Sequence, residues 1–157
     1  LEVSPSAAYN HFADKDALLA AVGQCGLAAL DERMARALAA HRSDDPVSLR
    51  ARFAGLGRAY LSFAIDEPHL FRLTFSPVCA ELGQDPEGTA PYRKLVDVLD
   101  ALDRHGLLRP GVRDGLDVTV WAATHGMACL VVEGAIPPQA GEAFIDSVSR
   151  LMFADPT

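Results

Sequence analysis

Apolar residues recur along this chain at intervals of three and four, and prolines and acidic–proline pairs divide the pattern into segments. Leu49, Phe53, Leu56, Tyr60 and Phe63 step by 4, 3, 4 and 3 residues, which lines one face of an α-helix. Asp45-Pro46 ahead of that stripe joins an N-cap side chain to a proline at the first helical position, and Pro68 breaks the helix. Asp14 opens a long helix from about Lys15 to Ala40, which carries Leu18, Leu19, Val22, Leu27, Leu30, Met34 and Leu38. Ser4-Pro5 opens a short helix to about Asn10, and another short helix covers His69 to Phe75. Pro77 to Thr89, holding Pro77, Gly83, Pro86 and Gly88, reads as a loop. Pro91 starts a helix that Gly106 ends, and Pro110-Gly111 makes a turn. A long helix runs from Val112 to Ala135, closed by Pro137-Pro138, and Gln139 to Phe153 forms the last. No apolar–polar alternation lies between hairpin turns. The predicted class is all-α: a short helix, a long connecting helix, then five helices of a bundle.

Composition agrees with this pattern. Alanine and leucine dominate and isoleucine is scarce, which favours helix over sheet. The 157 residues make about one domain, and 50% hydrophobic with 22% charged residues excludes a disordered chain. The nearly uncharged run from Val118 to Val132 is shorter than the ~18–20 residues of a membrane span, so no membrane partner is expected. The opening residues have neither a basic start nor an apolar stretch, so no secretory signal is predicted there. Cys25, Cys79 and Cys129 are odd in number and widely spaced, which suits small residues in a reducing cytoplasm. A net charge of −7 argues against a broad nucleic-acid surface and leaves room for a small local one.

Little in the sequence points to catalysis. It holds no G-x-S-x-G, Walker loop, H-E-x-x-H or C-x-x-C. His125 and Cys129 stand one turn apart, but a structural zinc takes four ligands and the other histidines are scattered. No enzyme activity, metal or cofactor is expected. Aromatic residues instead gather in stripes: Phe53, Tyr60 and Phe63, then Phe71 and Phe75, then Trp121 in register with His125 and Cys129. Such stripes pack a core by default. The last two helices carry a further apolar face: Val120, Ala123, Met127 and Val131 on one, Ala143, Phe144, Val148, Leu151 and Met152 on the other. A helix apolar nearly all round is buried on both sides. Either a partner or a crowded monomeric core covers it.

The stretch from Val3 to Leu19 carries Val3-Ser4, a small residue, Tyr9-x-His11-Phe12, and Asp14-Lys15-x-x-Leu18-Leu19. At this spacing it resembles the DNA-binding signature of the TetR (tetracycline-repressor-like) family of transcription regulators. Trp121-Ala122-Ala123-Thr124-His125-Gly126 resembles the Trp…His-Gly element of one C-terminal ligand-binding domain type in that family. The two matches bracket nearly the whole chain. The family's DNA-binding domain has three helices, of which only the end of the second, the turn and the recognition helix are matched here. On this resemblance, residues 1–40 are a remnant of a helix-turn-helix head with its connecting helix, and the N-terminal part of that head is missing. Residues 41–157 are a ligand-binding and dimerisation bundle. The chain by itself is then expected to bind DNA poorly.

The resemblance implies a role for particular residues. Ser4, Pro5, Ser6 and Ala7 suit the first turn of a recognition helix, where small residues let the backbone approach base edges. Ser4 can cap that helix, whose N-terminus favours phosphate. Tyr9, His11 and Lys15 would contact phosphates, which position the protein rather than specify sequence. In the bundle, the resemblance implies a mostly apolar small-molecule pocket lined from Phe53, Tyr60, Phe63, Phe71, Phe75, Trp121, Thr124 and His125. Tyr60, Thr124 and His125 are its candidate polar groups. The expected protein is a cytoplasmic homodimer joined through its last two helices. It binds a palindromic double-stranded operator and acts as a repressor that a small apolar effector releases. A helical small-molecule or metal-binding carrier with no DNA role is the alternative.

Overall fold

A computed structural model describes residues 11–81 and 88–154. The predicted short helix from Pro5 to Asn10 lies outside the described residues. Seven helices are described: α1 (Lys15–Ala39), α2 (Pro46–Asp66), α3 (Pro68–Thr74), α4 (Pro77–Glu81), α5 (Ala90–Arg104), α6 (Leu116–Val132) and α7 (Ala140–Met152). The fold is all-α. Among the described residues the extended pairing is a single bridge, Leu108 with Phe153, which ties the end of α7 to the α5–α6 connection. No described helix is long and apolar enough to cross a membrane.

The caps act as the sequence suggests. The Asp14 carboxylate accepts from the Ala17 backbone N–H at 2.8 Å, and Asp45 accepts from Val47 and Ser48, each at 2.9 Å. Two segments differ from expectation. The supposed loop after Pro77 starts with a helical turn, because a proline is tolerated in a first turn. That turn buries Cys79, whose thiol lies 3.8 Å from the Leu19 carbonyl oxygen of α1. Helix α6 begins at Leu116 rather than Val112. Gly115 adopts φ 69°, a left-handed conformation that interrupts the helix before it. It ends at Val132, where Gly134 (φ 75°) sends its N–H to the Val131 carbonyl and Ala135 bonds Leu130, a Schellman closure.

Helix α2 is the hub. Its periodic stripe is the most deeply buried set in the chain, and it packs against α1, α3, α5, α6 and α7. The second half of α1, with Leu30 and Met34, belongs to the same core and also meets α3 and α5. Helix α7 comes close to α2 because glycines stand at the crossing. A Cβ on Gly57 would lie 3.3 Å from Ile145 Cγ1, and one on Gly141 would lie 3.0 Å from Leu61 Cδ1. Val120, Met127 and Val131, read from the sequence as part of a second face of α6, point into the core instead. The outward face carries Val118, 52% exposed, and Leu130, 44% exposed, with Ala122 and Ala123 beside them. On α7, Leu151 is 72% exposed, whereas Met152 is buried.

Candidate functional site

Two adjoining regions hold the residues singled out from the sequence. The first is a box around His125. Phe71 of α3 and Phe75, which caps that helix, have ring centroids 5.3 and 5.1 Å from the imidazole, and Tyr60 of α2 stands at 6.3 Å. Tyr60 Oη and His125 Nδ1 are 2.8 Å apart, and His125 Nε2 is 3.5 Å from Cys129 Sγ. Burial pushes the Tyr60 phenol well above its ordinary range and the His125 imidazole below its own, so both groups are neutral. The Tyr60 hydroxyl is 1% exposed as a residue and has the one acceptor, Nδ1. Donation to Nδ1 therefore places the imidazole proton on Nε2, directed at the Cys129 sulfur. Burial raises the Cys129 thiol too, with the Glu133 charge adding to the effect, so this is a neutral chain of tyrosine, histidine and thiol.

The second region is a cleft on the other side of Tyr60. It holds about 430 Å³, part of it open to solvent. Phe53, Leu56, Gly57 and Tyr60 of α2 form its floor, and Met34 of α1 and Leu95 of α5 close one side. Val120, Trp121 and Thr124 of α6 face Phe144, Ile145 and Val148 of α7 across it. No lining residue is charged. Trp121 stands edge-on to Tyr60 at 5.1 Å and to Tyr92 at 5.4 Å, which fixes the indole at the wall. Thr124 is 8% exposed, and its hydroxyl has no hydrogen-bond partner among the described residues. Two other helical threonines behave differently: Thr74 and Thr119 donate to the carbonyls four residues back, at 2.8 and 2.9 Å.

The predicted ligand residues thus divide. Phe53, Tyr60, Trp121 and Thr124 line the cleft, while Phe71, Phe75 and His125 form the box behind it. Phe63 lines neither. It is fully buried against Phe71, with the Arg33 guanidinium 5.9 Å from its ring. The sequence does not single out Met34, Leu56, Leu95 or the three α7 residues as cleft wall. Periodicity shows that Phe144 and Val148 are covered, but leaves open whether a partner or a monomeric core covers them. Of the predicted DNA contacts, Ser4, Pro5, Ser6, Ala7 and Tyr9 lie outside the described residues. His11 and Lys15 are exposed just before and at the start of α1.

Helix α3 joins these regions to α1. Phe71 and Phe75 touch the box, and Thr74 lies against Gly26 of α1, where a Cβ would fall 1.8 Å from Thr74 Oγ1. Elsewhere, the arginines of the groove between α1 and α2 are neutralised locally. Arg33 pairs with Asp66 at 2.6 Å, Arg36 with Glu32 at 2.5 Å and Arg58 with Glu142 at 2.9 Å. Among the described residues no three histidines, cysteines or carboxylates come together as metal ligands would.

Residues 53–152 match the family described as tetracyclin repressor-like, C-terminal domain. The chain belongs to this family. The matched segment runs from Phe53, on the cleft floor, to the end of α7, and so takes in nearly all of the cleft and the box. A solved structure described as a protein with unknown function from Rhodococcus sp. RHA1 has the same fold, with a TM-score of 0.74 at 27% identity. The alignment covers 98% of this chain and 80% of that one. Comparison with curated proteins gives no match.

Proposed function

We propose that this tetracycline repressor-like chain is a ligand-responsive DNA-binding transcription regulator of the cytoplasm, a repressor that a small apolar effector releases from its operator. The observation that carries the reading is that Met34, on the cleft wall, belongs to the same helix as Lys15, at the end of the Val3–Leu19 motif. One rigid rod of about 1.5 Å per residue therefore joins the effector site to the DNA-facing segment. Residues 1–40 act as DNA-facing head and connecting rod, and residues 41–157 as the sensing and dimerising bundle. In this reading Ser4, Pro5, Ser6 and Ala7 serve base recognition, and Tyr9, His11 and Lys15 bind phosphates. The outward apolar face of α6 and α7, with Val118, Leu130 and Leu151 exposed, pairs with its copy about a two-fold axis and matches a palindromic operator.

Release follows from packing. An effector that wedges between α6, α7 and α2 displaces Tyr60 and Trp121, and with them the rings of α3. Thr74 then presses on Gly26, which has no side chain to absorb the shift, and α1 tilts. Two recognition helices must stand about 34 Å apart to read successive major grooves, so a tilt of both rods lowers DNA affinity. By linkage DNA lowers effector affinity by the same factor. The test is titration of the full-length protein against its own upstream promoter, at two salt concentrations, with random DNA as control. Specific, salt-sensitive binding of two protomers per site is expected. Binding no better than to random DNA overturns the regulator and leaves a helical small-molecule carrier.

A further inference from the structure

We propose that the effector is a neutral molecule with an aromatic or aliphatic body and one hydroxyl or carbonyl group, which Thr124 holds by a hydrogen bond. This rests on the cleft being the effector site. The wall offers no charge, so an ionised ligand would lose its hydration with no counter-charge to replace it. That excludes carboxylates, phosphates and amines that stay protonated. The remaining ligand must still meet a polar requirement at one point. Thr124 is more than nine-tenths buried, lines the cleft, and leaves its hydroxyl unbonded where Thr74 and Thr119 turn theirs back to the helix. Buried polar groups are nearly always bonded, so an unbonded one in the lining of an open cleft marks where a ligand atom sits.

The other polar groups on the wall narrow the choice further. The Tyr60 hydroxyl spends its proton on His125 Nδ1 and so offers the ligand no donor. A threonine hydroxyl both donates and accepts, so an alcohol, a phenol or a ketone each satisfies it. A ligand with two or more polar groups leaves the rest buried against Phe53, Leu95 and Val148.

Three probes of one shape test this on the whole chain: para-propylphenol, propylbenzene and para-propylbenzoate. Fluorescence of Trp121, the single tryptophan, reads binding at the cleft itself. The quantity of interest is the ratio of the propylbenzene to the propylphenol dissociation constant. We expect Thr124→Val to reduce this ratio roughly tenfold, and Thr124→Ser to keep it, while both proteins still bind propylbenzene. The benzoate should bind at least about a hundredfold more weakly than the phenol. An unchanged ratio in Thr124→Val overturns Thr124 as the anchor, yet leaves the cleft standing as an effector site. A benzoate that matches the phenol overturns the neutral class. Failure of both neutral probes to affect Trp121 overturns the cleft reading and this inference together.

Discussion

His125 and Thr124 are neighbours in α6, yet the imidazole is half-buried among aromatic rings with both nitrogens partnered, and the threonine lines an open cleft. Around His125 every polar atom has a use: Tyr60 donates to Nδ1, Nε2–H points at Cys129, and three aromatic rings pack about the imidazole. Around Thr124 the walls are equally apolar, but its buried hydroxyl has no hydrogen-bond partner among the described residues. Folding alone would remove such a group, because an unbonded buried polar atom costs about 1–3 kcal/mol. The box is therefore scaffold that holds Tyr60 and α3 in place, and the cleft is the part of the bundle left incomplete.

The contrast predicts different responses to damage. Phe71→Ala removes a ring that is 2% exposed and touches Tyr60, Phe63, Phe75 and His125. We expect a loss of about 3–5 kcal/mol in urea unfolding, the range for buried aromatic truncation. The effect should spread to the cleft, since Tyr60 forms both the box's edge and the cleft's floor. A loss under about 1 kcal/mol would mean that the box is loosely packed and is not the scaffold.

How much of this was legible in the sequence varies by region. Asp45-Pro46 and the stripe from Leu49 to Phe63 specify α2 and its buried face, because capping and periodicity act locally. The late start of α6 was not legible. It depends on Gly115 taking a left-handed conformation, and glycine permits that without requiring it. Phe144 and Val148 show the other limit. Periodicity showed that they are covered, but which neighbour covers them depends on how closely α7 approaches α2 at Gly57 and Gly141. Thr124 and His125 were both marked as candidate polar groups. That one is bonded and the other is not follows from contacts across 65 residues of chain, which no local pattern carries.

Acid should test the box next. Burial lowers the His125 imidazole below its ordinary 6.5, so the folded chain resists a proton that the unfolded chain accepts. The unfolded state then binds more protons, and stability falls as pH drops below about 6.5, levelling off below the folded-state value. One such group gives at most about 1.4 kcal/mol per pH unit. Asparagine at this position keeps an acceptor for Tyr60 but cannot titrate. Urea unfolding from about pH 7.5 to about pH 5 should therefore show a shallower decline for His125→Asn than for the parent chain. Parallel declines would mean that water reaches the imidazole and that the box is open.

The smallest effect separates the two regions most directly, because it compares two deletions of a single hydroxyl. Tyr60→Phe leaves Nδ1 of a half-buried imidazole without its donor, and we expect a loss of about 1 kcal/mol, the low end for an orphaned group. Thr124→Val removes a hydroxyl that has no protein partner and keeps the branched shape, so no hydrogen bond is lost and a desolvation penalty is relieved. Its stability should equal or slightly exceed that of the parent chain. Each hydroxyl is buried on an apolar wall, so transfer free energy alone predicts a similar gain for both. Only the bonding difference predicts opposite signs. Matching unfolding midpoints for the two variants would mean that Thr124 has a partner after all, and the cleft would lose its claim to be the unfinished region.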